Sequence, residues 1–185
     1  MNRRAVGESN QLFDLFTSRL GRVTALAVSV RELKSKLRYT LQYLGPVRLG
    51  LVAGRMGWRL IHAEPDEFFL NASGLVRERH VKFVALLNLL GRLVVAEGRR
   101  PRVYRELEQA LVFLTKQQLS PEDVLNYELV ATLRLLGVLG YWPGAKQLDS
   151  FVPPTAWSKL ALAKFTPHRQ LTEKLIEQAL YHSHL

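Results

Sequence analysis

Basic residues are concentrated in one short segment that directly follows an apolar run rich in β-branched residues. The segment, "RELKSKLR", places cations at Arg31, Lys34, Lys36 and Arg38. Cations at this spacing suit a row of phosphates, because each contact releases counterions condensed on a nucleic acid. The segment predicts sequence-independent binding to DNA that weakens with salt. The residues alone leave a second interpretation open, a solvated surface loop.

Further candidates lie on both sides of this segment. Two arginines precede it, and Tyr39 follows it as a ring on which a base of a single strand can stack. Tyr43 and Trp58 are also aromatic candidates, although a core role is favoured for Trp58. The predicted DNA-binding residues are Arg19, Arg22, Arg31, Lys34, Lys36, Arg38 and Tyr39.

A second basic cluster, "GRRPRVYRE", lies at the predicted start of a helix. A helix N-terminus flanked by arginines attracts a phosphate or a carboxylate. The more common role of such a cluster is a charged turn between helices, and that alternative stays open. The arginines of this cluster are Arg99, Arg100, Arg102 and Arg105.

Residues for catalysis or metal binding are scarce in the sequence. There is no cysteine, which excludes thiol catalysis and cysteine-ligated zinc or iron–sulfur sites. His182 and His184, two positions apart, do not share a helix face and have no acidic partner nearby in the sequence. No nucleophile elbow, phosphate-binding glycine loop or paired-carboxylate spacing is present. We therefore predict a protein that is not an enzyme and that has no metal or cofactor.

The positive charge is an N-terminal property. Residues 1–64 carry eleven Lys and Arg against four Asp and Glu, whereas the remainder carries fifteen against twelve. This asymmetry indicates an anionic partner more readily than a small neutral substrate. The start of the chain has no apolar signal region, and the most apolar stretch, from residue 83, is interrupted by Asn88 and Arg92. We expect a soluble cytoplasmic protein.

Hydrophobic periodicity divides the chain into two regions. Up to about residue 64, short runs rich in Val, Leu, Phe and Thr are separated by glycine turns, which predicts antiparallel strands. A barrel is favoured because it removes exposed strand edges. From about residue 76 the period changes to that of helices. The predicted fold is α+β, with a small OB-fold-like β-barrel domain over residues 1–70 and an α-helical domain over residues 71–185.

Four helices are predicted in the second region. The first carries apolar residues at Val81, Val84, Leu87, Leu90 and Val94 and ends at Gly98. The second begins at Pro101 and buries Val103, Leu107, Leu111 and Leu114. The third begins at Ser120, a serine cap followed by proline and two acids, and ends at Gly140. A proline-rich loop and a short apolar segment precede the final amphipathic helix, "HRQLTEKLIEQALYHSHL".

In the order of its motifs, the sequence resembles the RecO family of bacterial recombination mediators. The resemblance covers residues 4–143 and the last helix. No single motif is diagnostic, and the ordered set carries the resemblance. The matching residues are Gly7 and Glu8, Leu15 to Thr17, Gly21 and Arg22, "AVSVRELKSKL", Leu41 and Gln42, "RVYRELEQAL" and "LRLLGVLGYWP".

Several positions depart from the family pattern. Val28, Ser29, Glu32 and Leu33 stand where the family often has Lys, Gly, Arg and Pro, and Tyr43 replaces a proline. Few residues precede Gly7, which predicts a first barrel strand that is shortened or absent. The four-cysteine zinc module of many relatives is missing.

The resemblance implies a DNA-binding recombination mediator in recombinational DNA repair. It implies binding to single- and double-stranded DNA, annealing of complementary strands, pairing with RecR and help in loading RecA onto DNA coated by single-stranded-DNA-binding protein. Members of the family bind the acidic C-terminal tail of that protein in their helical domain. Binding to DNA also implies a cytoplasmic, nucleoid-associated location. The candidate partner-binding residues are Arg92, Arg99, Arg102 and Arg134.

An interaction protein is the alternative function. In this hypothesis the barrel is vestigial and does not bind nucleic acid, and the helical domain binds a protein partner. The shortened first strand and the thinned basic segment motivate it. A membrane-surface role is disfavoured because no predicted helix combines a basic face with bulky aromatic residues.

Overall fold

The structure, a computed structural model, describes residues 2–41, 46–55, 57–66, 77–95, 97–153 and 156–182. The chain forms two compact units. The first, the β unit, comprises residues 1–74 and 95–100, and the second, the helical unit, comprises residues 75–94 and 101–185. The strands come first along the chain and most of the helices follow them, which confirms the predicted α+β class.

The β unit contains a five-stranded sheet. Its strands are β1 Asn2–Val6, β2 Asn10–Thr17, β3 Gly21–Ala27, β4 Val47–Gly54 and β5 Gly57–Pro65. They are ordered β1-β2-β3-β5-β4, with β3 and β5 parallel and the other neighbours antiparallel. A short helix, α1 Lys36–Thr40, lies in the chain between β3 and β4. A five-stranded sheet with this crossover is OB-fold-like.

The sheet is open. Among the described residues β1 and β4 are its two edges, so the predicted barrel is not closed by pairing between them. The first strand, predicted to be shortened or absent, is present and has five residues. It pairs with β2 from Asn2 opposite Asp14 to Val6 opposite Asn10.

Alternating side chains build the core of the β unit. Along β3 the buried positions Val23, Ala25 and Ala27 alternate with half-buried ones. This is the two-residue period of a strand with one face turned to the core. Phe13 and Leu60 join Ala25 and Ala27 in one buried cluster. The cluster supports the segment that follows β3.

The helical unit is built around one central helix. Its helices are α2 Arg77–Leu93, α3 Pro101–Lys116, α4 Pro121–Leu139, α5 Lys159–Phe165 and α6 Arg169–His182, with a 3₁₀ turn Thr166–His168 before α6. Helix α4 contacts α2, α3, α5 and α6. Nine of its nineteen residues are buried for that reason.

Helix α4 begins and ends where the sequence predicts. The Ser120 hydroxyl accepts a hydrogen bond from the backbone N–H of Asp123 at 3.1 Å, and the Asp123 carboxylate accepts one from the backbone N–H of Ser120 at 2.9 Å. This reciprocal pair is a capping box. At the other end Gly140 adopts φ 82°, the left-handed conformation that stops a helix and favours glycine.

Helix α2 differs from the prediction both in where it ends and in which of its faces is buried. It ends at Leu93, five residues before Gly98. Its buried residues include Phe83, Leu86 and Leu90, whereas the predicted Val81 is exposed. The helix is apolar on several sides, so periodicity did not single out the packed face.

The early end of α2 has a physical cause in the segment that follows. Residues 95–100 belong to the β unit, where the Gly98 N–H donates to the Leu20 carbonyl at 3.1 Å. Glu97 forms a bridge with Gly21, and a Cβ on Gly21 would collide with the Gly98 carbonyl. Strand-like hydrogen bonding therefore replaces the last predicted helical turn.

In the described part of the chain, no helix has the length and apolar character required to cross a membrane.

Candidate nucleic-acid interface

The segment after β3 displays its cations because its apolar residues hold it to the core. We call residues 28–41 the cationic arm. Val30 is buried in the core cluster of the β unit, and Leu37 and Leu41 pack against the same cluster. These two leucines, one in α1 and the other its C-cap residue, are four positions apart and therefore lie on the same side of the helical turn. Lys34 and Lys36 precede the first of these leucines, and both are exposed.

The second residue of the arm has a left-handed backbone conformation. Ser29 has φ 52°, a conformation that residues other than glycine, asparagine and aspartate seldom adopt. Its N–H donates to the side-chain oxygen of Asn10 at 2.9 Å, and the next turn is fixed by the Arg31 N–H donating to the Ser9 carbonyl at 3.0 Å. Ser29 stands where the resembled family often has glycine.

The predicted DNA-binding residues fall into two groups. Arg22 lies on β3 with one guanidinium nitrogen 3.6 Å from a carboxylate oxygen of Asp14, so its charge is partly compensated. Arg38 is half-buried in α1. The remaining predicted residues are exposed on the turn after β2 or on the arm, and they are Arg19, Arg31, Lys34, Lys36 and Tyr39.

Aromatic candidates differ sharply in exposure. Tyr39 is 72% exposed beside the cations of the arm, which is the position a stacking ring requires. Trp58 is partly buried and packs against the core cluster of the β unit. Tyr43 lies outside the described residues.

A polar cavity opens beside the arm. Its volume is about 360 Å³, and it is lined by Arg3, Gln11, Phe13, Val30, Arg31, Arg38 and Leu41. Sequence reasoning identified two of its arginines but not Arg3. Arg3 lies on β1 opposite Phe13 in the strand register, and β1 itself was not predicted. An alternating pattern in "NRRAV" is too weak to reveal this strand.

The predicted partner-binding arginines do not share one environment. Arg92 and Arg102 are exposed on helices of the helical unit, and Arg99 is exposed in the β unit. Arg134 is only 1% exposed, in the interior of α4. Its placement gives the guanidinium an internal partner instead of a position on a surface.

That internal partner is Glu106 of α3. A guanidinium nitrogen of Arg134 lies 3.6 Å from a carboxylate oxygen of Glu106, which is an ion-pair distance but too long for a hydrogen bond. The Arg134 guanidinium also lies 4.4 Å from the ring centre of Trp157, and its Nε donates to the Phe151 carbonyl at 3.0 Å. A cation–π contact and a carbonyl acceptor thus help to hold a buried charge.

Burial dominates the protonation of this cluster. It raises the pKa of Glu106 above the ordinary value, and the charge of Arg134 opposes the change. Burial also lowers the pKa of Arg134, against the opposing influence of Glu106. The pKa of the fully buried Tyr127 is raised by burial and then by the charge of Glu106. The cluster is therefore a structural polar centre of the helical unit.

Metal ligands do not gather in the described residues. No group of three or more His, Asp or Glu side chains able to hold a metal ion occurs among them. His184 lies outside the described residues, and the side chain of His182 is likewise not described.

Taken together, these features define a two-unit α+β protein with an OB-fold-like sheet, a displayed cationic arm and a helical unit. No protein-family model matches the chain. Several curated proteins are similar to it in sequence. The chain is 29% identical over 142 residues to DNA repair protein RecO of Vibrio atlanticus (strain LGP32), covering 76% of this chain and 55% of that protein.

Two further relatives carry the same name. Identity is 33% over 140 residues with RecO of Nocardioides sp. (strain ATCC BAA-499 / JS614), covering 75% of this chain and 56% of the relative. It is 30% over 143 residues with RecO of Vibrio cholerae serotype O1 (strain M66-2), covering 76% and 56%. These similarities support assignment of the chain to the RecO family. The chain spans about half the length of the curated relatives it matches.

Proposed function

We propose that this protein is a non-catalytic DNA-binding mediator of recombinational repair. The observation that carries the proposal is the arm, in which Lys34, Lys36 and Tyr39 are exposed while Leu37 and Leu41 anchor the backbone. Backbone phosphates supply a large share of protein–DNA affinity, and exposed cations on a fixed support suit them. The names of the relatives support a role in DNA repair.

Both single-stranded and duplex DNA fit this arrangement. The cations contact phosphates, which both forms present, and Tyr39 adds a stacking surface for unpaired bases. Annealing of complementary strands requires only charge neutralisation with accessible bases, and it needs no catalytic group. The proposal places the protein on chromosomal DNA.

The proposal also includes binding to partner proteins. By resemblance to the family, the protein pairs with RecR, binds the acidic tail of single-stranded-DNA-binding protein and helps load RecA. Arg92 and Arg102 are exposed on the helical unit and are the candidates for the acidic tail. Arg134 is omitted from this surface because it is buried with Glu106.

Fluorescence anisotropy of a labelled single-stranded oligonucleotide, measured across a salt series, tests the DNA-binding proposal. The logarithm of the association constant should fall with the logarithm of salt at about 0.7 per phosphate contact. The triple variant Lys34→Glu, Lys36→Glu, Arg38→Glu should bind far more weakly. Unchanged affinity in that variant would contradict the proposal.

A protein-interaction module without DNA binding is the second candidate. Two observations favour it: the open sheet and the compensation of Arg22 by Asp14. This candidate requires that a protein partner be retained by the immobilised protein while single-stranded and duplex DNA are not. Retention of DNA at low salt would exclude it.

A further inference from the structure

Three arginines from three separate segments line the cavity of the β unit. Arg3 comes from β1, Arg31 from the turn after β3, and Arg38 from α1. We call this cavity the arginine pocket. None of the described residues that line it is acidic. The lining therefore brings three guanidinium groups to one cavity, and their positive charges would attract an anion inside it.

Apolar residues complete the pocket. Phe13 and Val30 are buried in the core cluster and also line the cavity. Because these two residues belong to the core, they give the otherwise polar cavity one fixed wall. The backbone of Arg31 is fixed by its hydrogen bond to Ser9, and Arg38 lies on the helix held by Leu37. The pocket is thus preorganised for a small charged group.

Size and donor geometry select the kind of anion. The volume of about 360 Å³ lies in the lower part of the range for small-ligand sites, so the pocket holds one nucleotide-sized group. Arginine offers planar donors that match phosphate oxygens. A terminal phosphomonoester has three free oxygens and a charge of about −1.5 to −2, whereas a phosphodiester within a strand carries one charge and is flanked by sugars on both sides.

We propose that the arginine pocket binds a phosphomonoester, carried by the phosphorylated end of a DNA strand or by a free mononucleotide. This inference rests on the proposed DNA-binding function and adds recognition of strand ends to it. The arm holds the strand through its exposed cations, and the pocket receives the terminal phosphate.

The experiment compares three labelled oligonucleotides of one sequence by anisotropy at constant salt: a 5′-phosphate form, a 3′-phosphate form and a form with both ends hydroxylated. Wild-type protein should bind a phosphorylated form roughly tenfold more tightly. Equal affinity for all three would overturn end recognition and leave DNA binding intact. Absence of binding to any of them would overturn the proposed function itself.

Competition distinguishes the two sources of phosphomonoester. Deoxyadenosine monophosphate should displace the phosphorylated oligonucleotide, and deoxyadenosine should not. Displacement together with equal oligonucleotide affinities assigns the pocket to free mononucleotides. Failure of the monophosphate to compete, combined with equal oligonucleotide affinities, would overturn the phosphomonoester site altogether.

Matched single-charge variants locate the site. Arg3→Gln should abolish the preference for the phosphorylated form, because it removes a guanidinium from the pocket. Lys34→Gln removes one exposed charge outside the pocket lining, so it should weaken all forms equally and keep their ratio. Thermal unfolding of both variants checks that they fold. A folded Arg3→Gln protein with an unchanged preference would overturn the assignment to this pocket.

Discussion

Arginines in the two units have opposite surroundings. Arg38 of the β unit is half-buried and borders an open cavity that it shares with Arg3 and Arg31. Arg134 of the helical unit is enclosed, next to Glu106 and over the ring of Trp157. The first guanidinium is available to an external anion, whereas the second is compensated within the fold. Net charge alone does not separate these roles, since compensation decides which cations can act on a ligand.

Removing Arg134 should produce the largest effect on this comparison. Arg134→Met leaves Glu106 buried without its counter-charge, and the Glu106 oxygens have no hydrogen-bond partner among the described residues. We expect the free energy of unfolding to fall by about 3–5 kcal/mol, measured by urea titration. The double variant Arg134→Met, Glu106→Leu should recover most of this loss, because a buried ion pair and an apolar pair are often similar in stability.

The same variant should acquire a pH dependence. Burial already raises the pKa of Glu106, and loss of the opposing Arg134 charge raises it further. Folded protein then keeps a proton on Glu106 at pH values where the unfolded chain has lost it, so stability is greatest at low pH and falls as pH rises through the folded-state pKa. Arg134→Met should therefore be less destabilised at roughly pH 5 than at roughly pH 8. A pH-independent loss would contradict a structural role through Glu106.

Asn126 is a buried polar group of the helical unit that, unlike Glu106, has its hydrogen bonds satisfied. Its amide donates to the Leu162 carbonyl at 2.8 Å and to the Thr166 hydroxyl at 2.9 Å, and its carbonyl accepts from Arg169 Nε at 2.6 Å. Asn126→Ala leaves these partners without the amide, and the free energy of unfolding should fall by about 2–3 kcal/mol. Chemical unfolding measures this loss. A change below about 0.5 kcal/mol would show that the network does not join α4 to the segments after it.

Paired lysine variants test whether the arm, and not net charge, binds DNA. Lys34→Gln, Lys36→Gln should lower the salt slope by about 1.4 and weaken binding at roughly 0.1 M salt by about 25-fold, since each phosphate contact contributes about 0.7. The matched control is Lys164→Gln, Lys174→Gln, which removes the same charge from exposed positions on α5 and α6. The control should keep the wild-type slope. If both double variants lost the same amount of DNA affinity, binding would depend on net charge, and the cations of the two units would not differ in their role.

Local sequence signals predicted the parts of the fold that local physics controls. The cap at Ser120 and the stop at Gly140 lie where expected, because each depends on residues within one helical turn. The end of α2 was mispredicted because its stop depends on hydrogen bonds to Leu20, far away in the sequence. Apolar periodicity placed α3 well, with Val103 and Leu107 buried. It failed for α2, which is apolar on more than one side.

The candidate site was predictable only in part for the same reason. The cations of the arm are adjacent in sequence, so composition reveals them. Arg3 reaches the pocket through strand pairing with β2, and the partnership of Arg134 with Glu106 joins two helices. No spacing rule relates residues so far apart along the chain. Burial of a lone arginine on a leucine-rich helix depends on the acid that faces it.

Ser29 offers the smallest and most local test, at the turn where the arm begins. Its φ of 52° strains an L-residue, and glycine adopts this conformation without a Cβ clash. Ser29→Gly should raise the free energy of unfolding by about 0.5–1 kcal/mol, partly offset by the greater freedom of the unfolded chain, whereas Ser29→Ala should not stabilise. Urea titration of both variants measures the difference. Because the Ser29 N–H bond to Asn10 persists in either variant, the arm keeps its position, and DNA affinity should stay at the wild-type value. A gain in stability accompanied by weaker DNA binding would show that the strained turn itself orients the cations.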